Sequence, residues 1–204
     1  MKVDPAAISA RDTYRLMIGA ITPRPIAWVS TISPAGVTNL APFSFFSGVA
    51  ASPPTLAFSP VNRRDGSKKD TVRNIEATGE FVVNVVDHAR AAEMNCTSDD
   101  EIAYEVSEFD TCGVGAVASE RVKPPRVAAS PVQMECALHQ IVPVGEGPLA
   151  ANLVIGRILL IHIEDGVLDA ARNIDPRALD TIGRMGGEGY TRTTELFHMA
   201  RPRR

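Results

Sequence analysis

Strand follows strand along this 204-residue chain, with few helices between them. That pattern predicts a mainly β protein, a closed antiparallel barrel with peripheral helices. Two observations carry the prediction. Short runs rich in β-branched residues recur, as in Phe81-Val82-Val83-Asn84-Val85-Val86. The strand–helix–strand alternation that builds a doubly wound parallel sheet is missing.

Taken in order, Ile26 to Ser33 alternates as a half-buried strand, with Trp28, Ser30 and Ile32 on one face and Ala27, Val29 and Thr31 on the other. A turn at Pro34-Ala35-Gly36 leads to a second strand through Asn39-Leu40-Ala41-Pro42-Phe43-Ser44-Phe45-Phe46. After Pro53-Pro54 a third short strand, Thr55 to Ser59, stops at Pro60, and a polar loop from Val61 to Lys69 follows. Asp70 to Thr78 reads as a helix terminated by Gly79. Phe81 to Val86 is a strand, His88 to Asn95 a helix, and the acidic stretch Ser98 to Asp110 is exposed or folded against a partner. Strands resume at Val132–Ile141 and Leu153–Ile163, ending in a Glu164-Asp165-Gly166 turn, and Thr194 to Ala200 is a last strand or tail. The length suits one domain over 1–204, with residues 1–15 and the C-terminal tail as extensions.

Composition narrows the class. With 45% hydrophobic and 22% charged residues the chain can bury a core, and a net charge of -3 gives no general attraction to nucleic acid or an anionic membrane. Cys96, Cys112 and Cys136 are odd in number and have no zinc-ligand spacing, which points to free thiols in a reducing, cytoplasmic setting. The N-terminus has no signal-peptide stretch and no run is long enough to span a membrane. His88, His139, His162 and His198 are scattered, so no metal is expected.

The chemistry concentrates in two places. In the first, Asn39 and Ser44 are polar, Ala41 is small, and Pro42 removes a ladder donor inside an apolar run. Backbone groups are left facing something flat, and a flavin ring, whose edge alternates acceptors with a donor, suits them. The bland alternative is a strand end with a proline bulge whose Phe43, Phe45 and Phe46 are core. In the second, Lys68-Lys69-Asp70-Thr71 follows a Gly-containing loop and opens a helix, where free N–H groups attract an anion. Arg63 and Arg64 lie just before it. Here the bland alternative is a helix capped by Ser67 or Asp70 with solvated lysines. Trp28 reads as half-buried barrel filling, Cys136 as packing, and His162 as a structural histidine, with a role beside a nicotinamide or a substrate as its alternative. No GxGxxG, P-loop or GxSxG motif is present.

Together these blocks resemble the flavin reductase-like, FMN-binding split-barrel family, which includes flavoredoxin and the reductase components of two-component monooxygenases. The similarity runs through Thr22-Pro23-Arg24-Pro25, Asn39 to Ser44, Lys69-Asp70-Thr71 with Asn74-Ile75, and Glu80 to Asn84. It continues through Glu135-Cys136, Gly156-Arg157 with His162, and Arg184-Met185-Gly186-Gly187 with Tyr190. The resemblance implies a six-stranded antiparallel Greek-key split barrel, a homodimer, and FMN near the subunit interface. It implies that Ala41, Pro42, Phe43 and Ser44 run along the ring edge, and that Asn39, Ser30 and Thr31 approach the ring or ribityl chain. Ser59 would meet the ribityl hydroxyls, and Lys69, Asp70 and Thr71, with Arg63 in reach, the phosphate.

The activity so implied is NAD(P)H-dependent FMN reduction, with NADH or NADPH as co-substrate and a monooxygenase or another electron acceptor as partner. The alternatives are an FMN-carrying electron-transfer protein without a nicotinamide site, and a flavin-free binding module. The homodimer has its own weak sequence support: Phe81–Val86 and Leu153–Ile163 carry more apolar surface than one half-solvated face needs.

Overall fold

The structure, a computed structural model, describes residues 1–202. Helix α1 (Ala10–Ala20), whose Ser9 cap accepts from the Asp12 N–H at 3.1 Å, precedes four strands, β1 (Ala27–Ile32), β2 (Thr38–Phe43), β3 (Phe46–Ala51) and β4 (Pro54–Phe58). Helix α2 (Asp70–Thr78) has the bounds its sequence predicts and ends at Gly79, whose φ of 72° only glycine adopts without strain. Strand β5 (Glu80–Val85) is followed by an excursion containing α3 (Ala91–Cys96), α4 (Glu108–Thr111), β6 (Ala116–Val117) and β7 (Arg126–Val127). The long strands β8 (Val132–Val144) and β9 (Ala151–Ile163), a short α5 (Pro176–Leu179) and the ribbon β10 (Ile182–Arg184) with β11 (Tyr190–Arg192) complete the chain.

The main sheet is antiparallel with strand order β2-β1-β5-β8-β9-β4-β3. It has seven strands where the resemblance implies six, because the apolar run from Asn39 to Phe46 breaks at Ser44-Phe45 into β2 and β3. Its two outermost strands are therefore joined by a two-residue link. The sheet curls into a split barrel, and the Ser59 N–H donates to the Phe45 carbonyl at 2.9 Å across that corner.

Inside the barrel Ala27 and Val29 of β1 meet Leu56, Phe58, Phe81, Val83, Cys136 and Val154, with Ile75 of α2 packed among them. Phe58 stands between Phe43 and Phe81, with ring centroids 5.4 and 5.5 Å away. Space here is tight enough to dictate a residue type: a Cβ on Gly156 would fall 2.2 Å from the Phe81 ring.

The outer face of β2-β1-β5 is covered as well. The excursion folds back over it, burying Trp28 and Leu40 against Met94, Phe109, Val114 and Val127. This corrects two expectations and refines a third. Trp28 is fully buried in this outer layer, its indole N–H donating to Thr97 Oγ1 at 2.8 Å, instead of half-filling the barrel. The acidic stretch Ser98 to Asp110 is exposed over most of its length, as one reading of the sequence expects, and is anchored on its own chain at Ser107, Glu108 and Phe109, which are buried. The apolar excess of Phe81–Val86 is likewise consumed within the chain, since β5 has one face in the barrel and the other under this layer; the surplus that remains exposed includes Leu159, Ile161 and Ile163 of β9.

The cysteines also depart from expectation. Cys96 and Cys112 form a disulfide with their Cα atoms 5.9 Å apart, and only Cys136 is free and buried. Chain folding brings α3 and the end of α4 together across a separation that sequence spacing alone does not reveal, so the basis for a reducing compartment falls away. Of the two readings of Thr194 to Ala200, a last strand or a tail, the tail holds, and the pairing partner of β10 is Tyr190–Arg192. Among the described residues no helix is long and apolar enough to cross a membrane, and no group of His, Cys, Asp and Glu could hold a metal ion.

Candidate functional site

A cleft of about 230 Å³ opens where the β2–β3 corner, the start of α2 and the excursion meet. One wall is β2. This strand pairs only with β1, so its other edge is open. Backbone groups along a strand alternate in direction. The Leu40 N–H points away from β1, since it donates to Glu108 Oε2 at 2.9 Å. By alternation Pro42 also presents its backbone to that side, and having no N–H it costs the β1–β2 ladder nothing. The edge therefore offers carbonyl oxygens with a gap in its donors at Pro42.

The second wall is the start of α2. Lys69 stands at the N-cap with no side-chain cap, and its carbonyl takes the N–H groups of Val72 and Arg73. Among the described residues the Asp70 and Thr71 N–H groups have no backbone acceptor, as the geometry of a helix start requires. Neither expected cap is used: Ser67 Oγ bonds Asp65, and the Asp70 carboxylate turns to Arg63 Nη2 at 2.5 Å and Arg73 Nη1 at 3.0 Å. The hydrogen bond it donates to Asp70 holds the Arg63 guanidinium above its ordinary pKa despite burial. Lys69 pairs with Asp100, which is exposed on the excursion loop. Asn39 reaches across from β2 and donates to Thr71 Oγ1 at 3.1 Å, tying the two walls together.

Of the residues singled out by sequence, Asn39, Ala41, Pro42, Phe43, Ser44, Ser59, Arg63, Lys69, Asp70 and Thr71 line this one cleft, and Arg63 and Lys69 are the members of their pairs that turn inward. Lys68 instead pairs with Glu76. Ser30 and Thr31 are not among the lining residues. Both are fully buried: Ser30 Oγ donates to the Pro125 carbonyl at 2.5 Å on the outer face, and Thr31 Oγ1 accepts from Asn74. His162 is also elsewhere, its Nε2 2.6 Å from the buried Glu135 carboxylate, which corrects its candidacy for catalysis in the cleft.

Sequence reading missed Tyr14, Thr97, Ser98, Asp99, Asp100, Ile102 and Glu108, which also line the cleft. Tyr14 comes from α1, in the region read as an extension, and packs edge-on against Phe45 with centroids 6.3 Å apart. The excursion residues carry no periodic pattern that could have placed them. Arg24 acts from behind the wall. Buried, it donates to the Ile18, Ile21 and Met185 carbonyls at 2.6, 2.7 and 2.9 Å and to Ser44 Oγ at 3.2 Å, fixing the corner against α1. Burial pushes the Glu108 carboxyl above its ordinary pKa, and its bond from Leu40 only partly offsets that.

The donor set suits a flat heteroaromatic ring joined to a phosphate. A carbonyl-lined edge lies at one end of the cleft; uncapped helix N–H groups, a hydroxyl, a lysine and an arginine lie at the other.

The chain matches the flavin reductase like domain family over residues 19–181. It is 40% identical to an uncharacterized protein of Halalkalibacterium halodurans, across 99% of this chain and 97% of that one. Among solved structures it is similar to nitrilotriacetate monooxygenase component B from Bacillus cereus, at 33% identity and a TM-score of 0.92 over 98% of both chains. It is also similar to the 2-nitrobenzoate 2-nitroreductase NbaA of Pseudomonas fluorescens, at 27% identity and a TM-score of 0.88 over 99% of this chain and 96% of that one.

Proposed function

The chain belongs to the flavin reductase-like family of flavin-binding oxidoreductases, and we propose that it is an NAD(P)H-dependent reductase that binds FMN in this cleft. The observation that carries the reading is the union of the donor-poor β2 edge with the uncapped start of α2. A flavin held here would supply the hydride-accepting redox chemistry. The chain's part is to hold and orient it. Backbone groups of Ala41 to Ser44 line the ring edge, and Ser59 faces the ribityl hydroxyls. The Asp70 and Thr71 N–H groups, Thr71 Oγ1, Lys69 and Arg63 hold the phosphate. The Asp70 side chain does not touch that anion; it fixes Arg63 in place. Lys69 exchanges Asp100 for the phosphate, a swap made cheap by the exposure of that aspartate.

A single compact anion site favours FMN over FAD, whose pyrophosphate would need a second cradle. A homodimer completes the cleft in this reading: about 230 Å³ is less than the roughly 300–1,000 Å³ of ordinary ligand sites, and the exposed Leu159, Ile161 and Ile163 offer an apolar face to a second copy. The similarity to a monooxygenase component supports an electron-accepting partner enzyme.

The test is the visible spectrum of the purified protein, followed by anaerobic titration with NADH and NADPH. Bleaching of bound FMN supports the reductase. A flavin-loaded protein that neither nucleotide bleaches is instead an electron carrier, and a protein that takes up no flavin is neither. Sedimentation at micromolar concentration tests the dimer, and a monomer that still holds FMN would overturn it.

A further inference from the structure

Beside the cleft lies a second hollow of about 180 Å³ that shares Pro42, Ser44 and Ser98 with it and is otherwise lined by Ile26, Met94, Asn95, Arg184 and Tyr190. Its floor is built from the ribbon β10–β11, where Arg184 and Tyr190 are paired residues. The Arg184 guanidinium carbon stands 4.4 Å from the centroid of the Tyr190 ring, and the Tyr190 hydroxyl donates to Asn95 Oδ1 at 3.3 Å. Stacking of this kind fixes the plane of the guanidinium and leaves its N–H edge free to point into the hollow.

Charge makes this corner unusual. Many exposed lysines and arginines have no carboxylate partner, but of those that are not exposed Arg63, Lys68, Lys69, Arg90 and Arg126 each have one. Among the described residues Arg184 has none, and neither has Arg24, whose acceptors are three carbonyls and a hydroxyl. The two are close enough to repel: burial lowers the Arg24 pKa, Tyr14 partly restores it, and Arg184 lowers it further. Two cations without a counter-ion, one half-buried and stacked beside a polar hollow, call for an anionic ligand.

Resting on the proposed reductase function, we infer that this hollow is the subsite for the pyrophosphate of the nicotinamide dinucleotide, held by Arg184 and oriented by Tyr190 and Asn95. The planar fork of arginine matches two phosphate oxygens at once. A nucleotide anchored there stands next to Pro42 and Ser44, so its nicotinamide end can lie against a ring on the β2 edge. The inference also gives a task to the Arg184-to-Tyr190 block, which the phosphate and ring contacts of the cleft leave unused.

The test uses FMN-loaded wild-type protein and the Arg184→Ala and Arg184→Lys variants. Calorimetry measures binding of tetrahydro-NAD, a donor analogue that cannot give up hydride, and fluorescence titration measures FMN affinity. Arg184→Ala should weaken tetrahydro-NAD binding by roughly ten- to a hundredfold, the loss expected of one charge-assisted pair, while FMN affinity moves less than about twofold. Arg184→Lys, which keeps the charge but not the fork, should fall between. Anaerobic reduction should show the same raised Kd for NADH, and a much smaller effect with N-benzyl-dihydronicotinamide, a hydride donor without phosphate. Unchanged tetrahydro-NAD binding in both variants overturns the subsite and leaves the reductase standing. An equal loss of FMN affinity assigns Arg184 to the flavin and also overturns it. Wild-type protein that holds FMN yet neither binds tetrahydro-NAD nor is reduced by NADH or NADPH defeats the reductase reading, and the subsite with it.

Discussion

Glu135 and Glu108 are both carboxylates buried under the same excursion, yet their surroundings treat them in opposite ways. Burial alone would raise the pKa of Glu135, but the Glu120, Arg121 and Val122 N–H groups reach it at 2.9, 2.6 and 3.2 Å and His162 at 2.6 Å, and together they hold it below its ordinary value. Glu108 receives one backbone N–H, from Leu40, and burial wins. The number of donors, set against the depth of burial, decides the direction of each shift. The closed cage of Glu135 is spent on architecture, since it pins the loop at Glu120 to β8. The half-satisfied Glu108 lines the cleft.

The sharpest way to break this contrast is Glu135→Leu. It removes the acceptor of the buried Val122 N–H, of the part-buried Glu120 and Arg121 N–H groups and of the His162 ring, so a loss of about 3 kcal/mol in urea unfolding is expected, with FMN affinity of the folded fraction little changed. A loss under about 1 kcal/mol would mean the cage is ornamental. Because the folded pKa of Glu135 is depressed, its contribution is present above the unfolded value near 4.5 and disappears as pH falls through the folded one. The variant should therefore have a flatter acid limb than the wild type.

On the cleft side, Lys69→Ala combined with Thr71→Ala should cost on the order of 100-fold in FMN affinity, at about 1.5–3 kcal/mol per charge-assisted bond. Unfolding of the flavin-free protein should lose about 1 kcal/mol, because Thr71→Ala takes the acceptor from the buried Asn39 amide. A loss of less than about threefold, about 0.6 kcal/mol, would remove the phosphate from α2.

Glu108→Gln reads the opposite sign from Glu135. The folded pKa of Glu108 is raised, so its stabilising effect is full below the unfolded value near 4.5 and is lost as pH rises through the folded value. The amide keeps an acceptor for Leu40 without that loss. The variant should gain on the wild type in thermal unfolding as pH climbs from 4.5 toward neutrality, and parallel curves would show that Glu108 does not titrate differently in the fold.

The smallest effect belongs to Asp100→Asn, which frees Lys69 from its competitor. FMN should bind about two- to threefold more tightly, the scale of an exposed ion pair near 0.5 kcal/mol. Weaker binding would mean that Asp100 helps to hold the flavin.

The regular parts of this molecule were legible from sequence because they obey local rules. The β-branched run at Phe81, the Gly79 stop after α2, and the proline in β2 each announce their element. The two poles of the cleft, Asn39 to Ser44 and Lys69 to Thr71, were legible for the same reason: unusual backbone chemistry shows in composition. Ser30 and Thr31 were misplaced because alternation along β1 separates two faces without saying that both are covered. Glu108 and Asp100 arrive on a loop with no periodicity, held by the Leu40 N–H and by Lys69, residues far away in the chain. The Cys96–Cys112 link was hidden in the same loop, since a separation of 16 residues carries no information about approach.

The open edge of β2 has a second meaning for the life of the protein. An unpaired strand edge invites a foreign strand to add to the sheet, the first step toward aggregation. Here the invitation is withdrawn at two consecutive outward positions: the Leu40 N–H is already occupied by Glu108, and Pro42 has none to give. A peptide seeking a continuous ladder finds no run of donors along that edge. The Pro42 that opens the cleft to a ligand thus also keeps the newly made, still empty protein from being captured by its own kind.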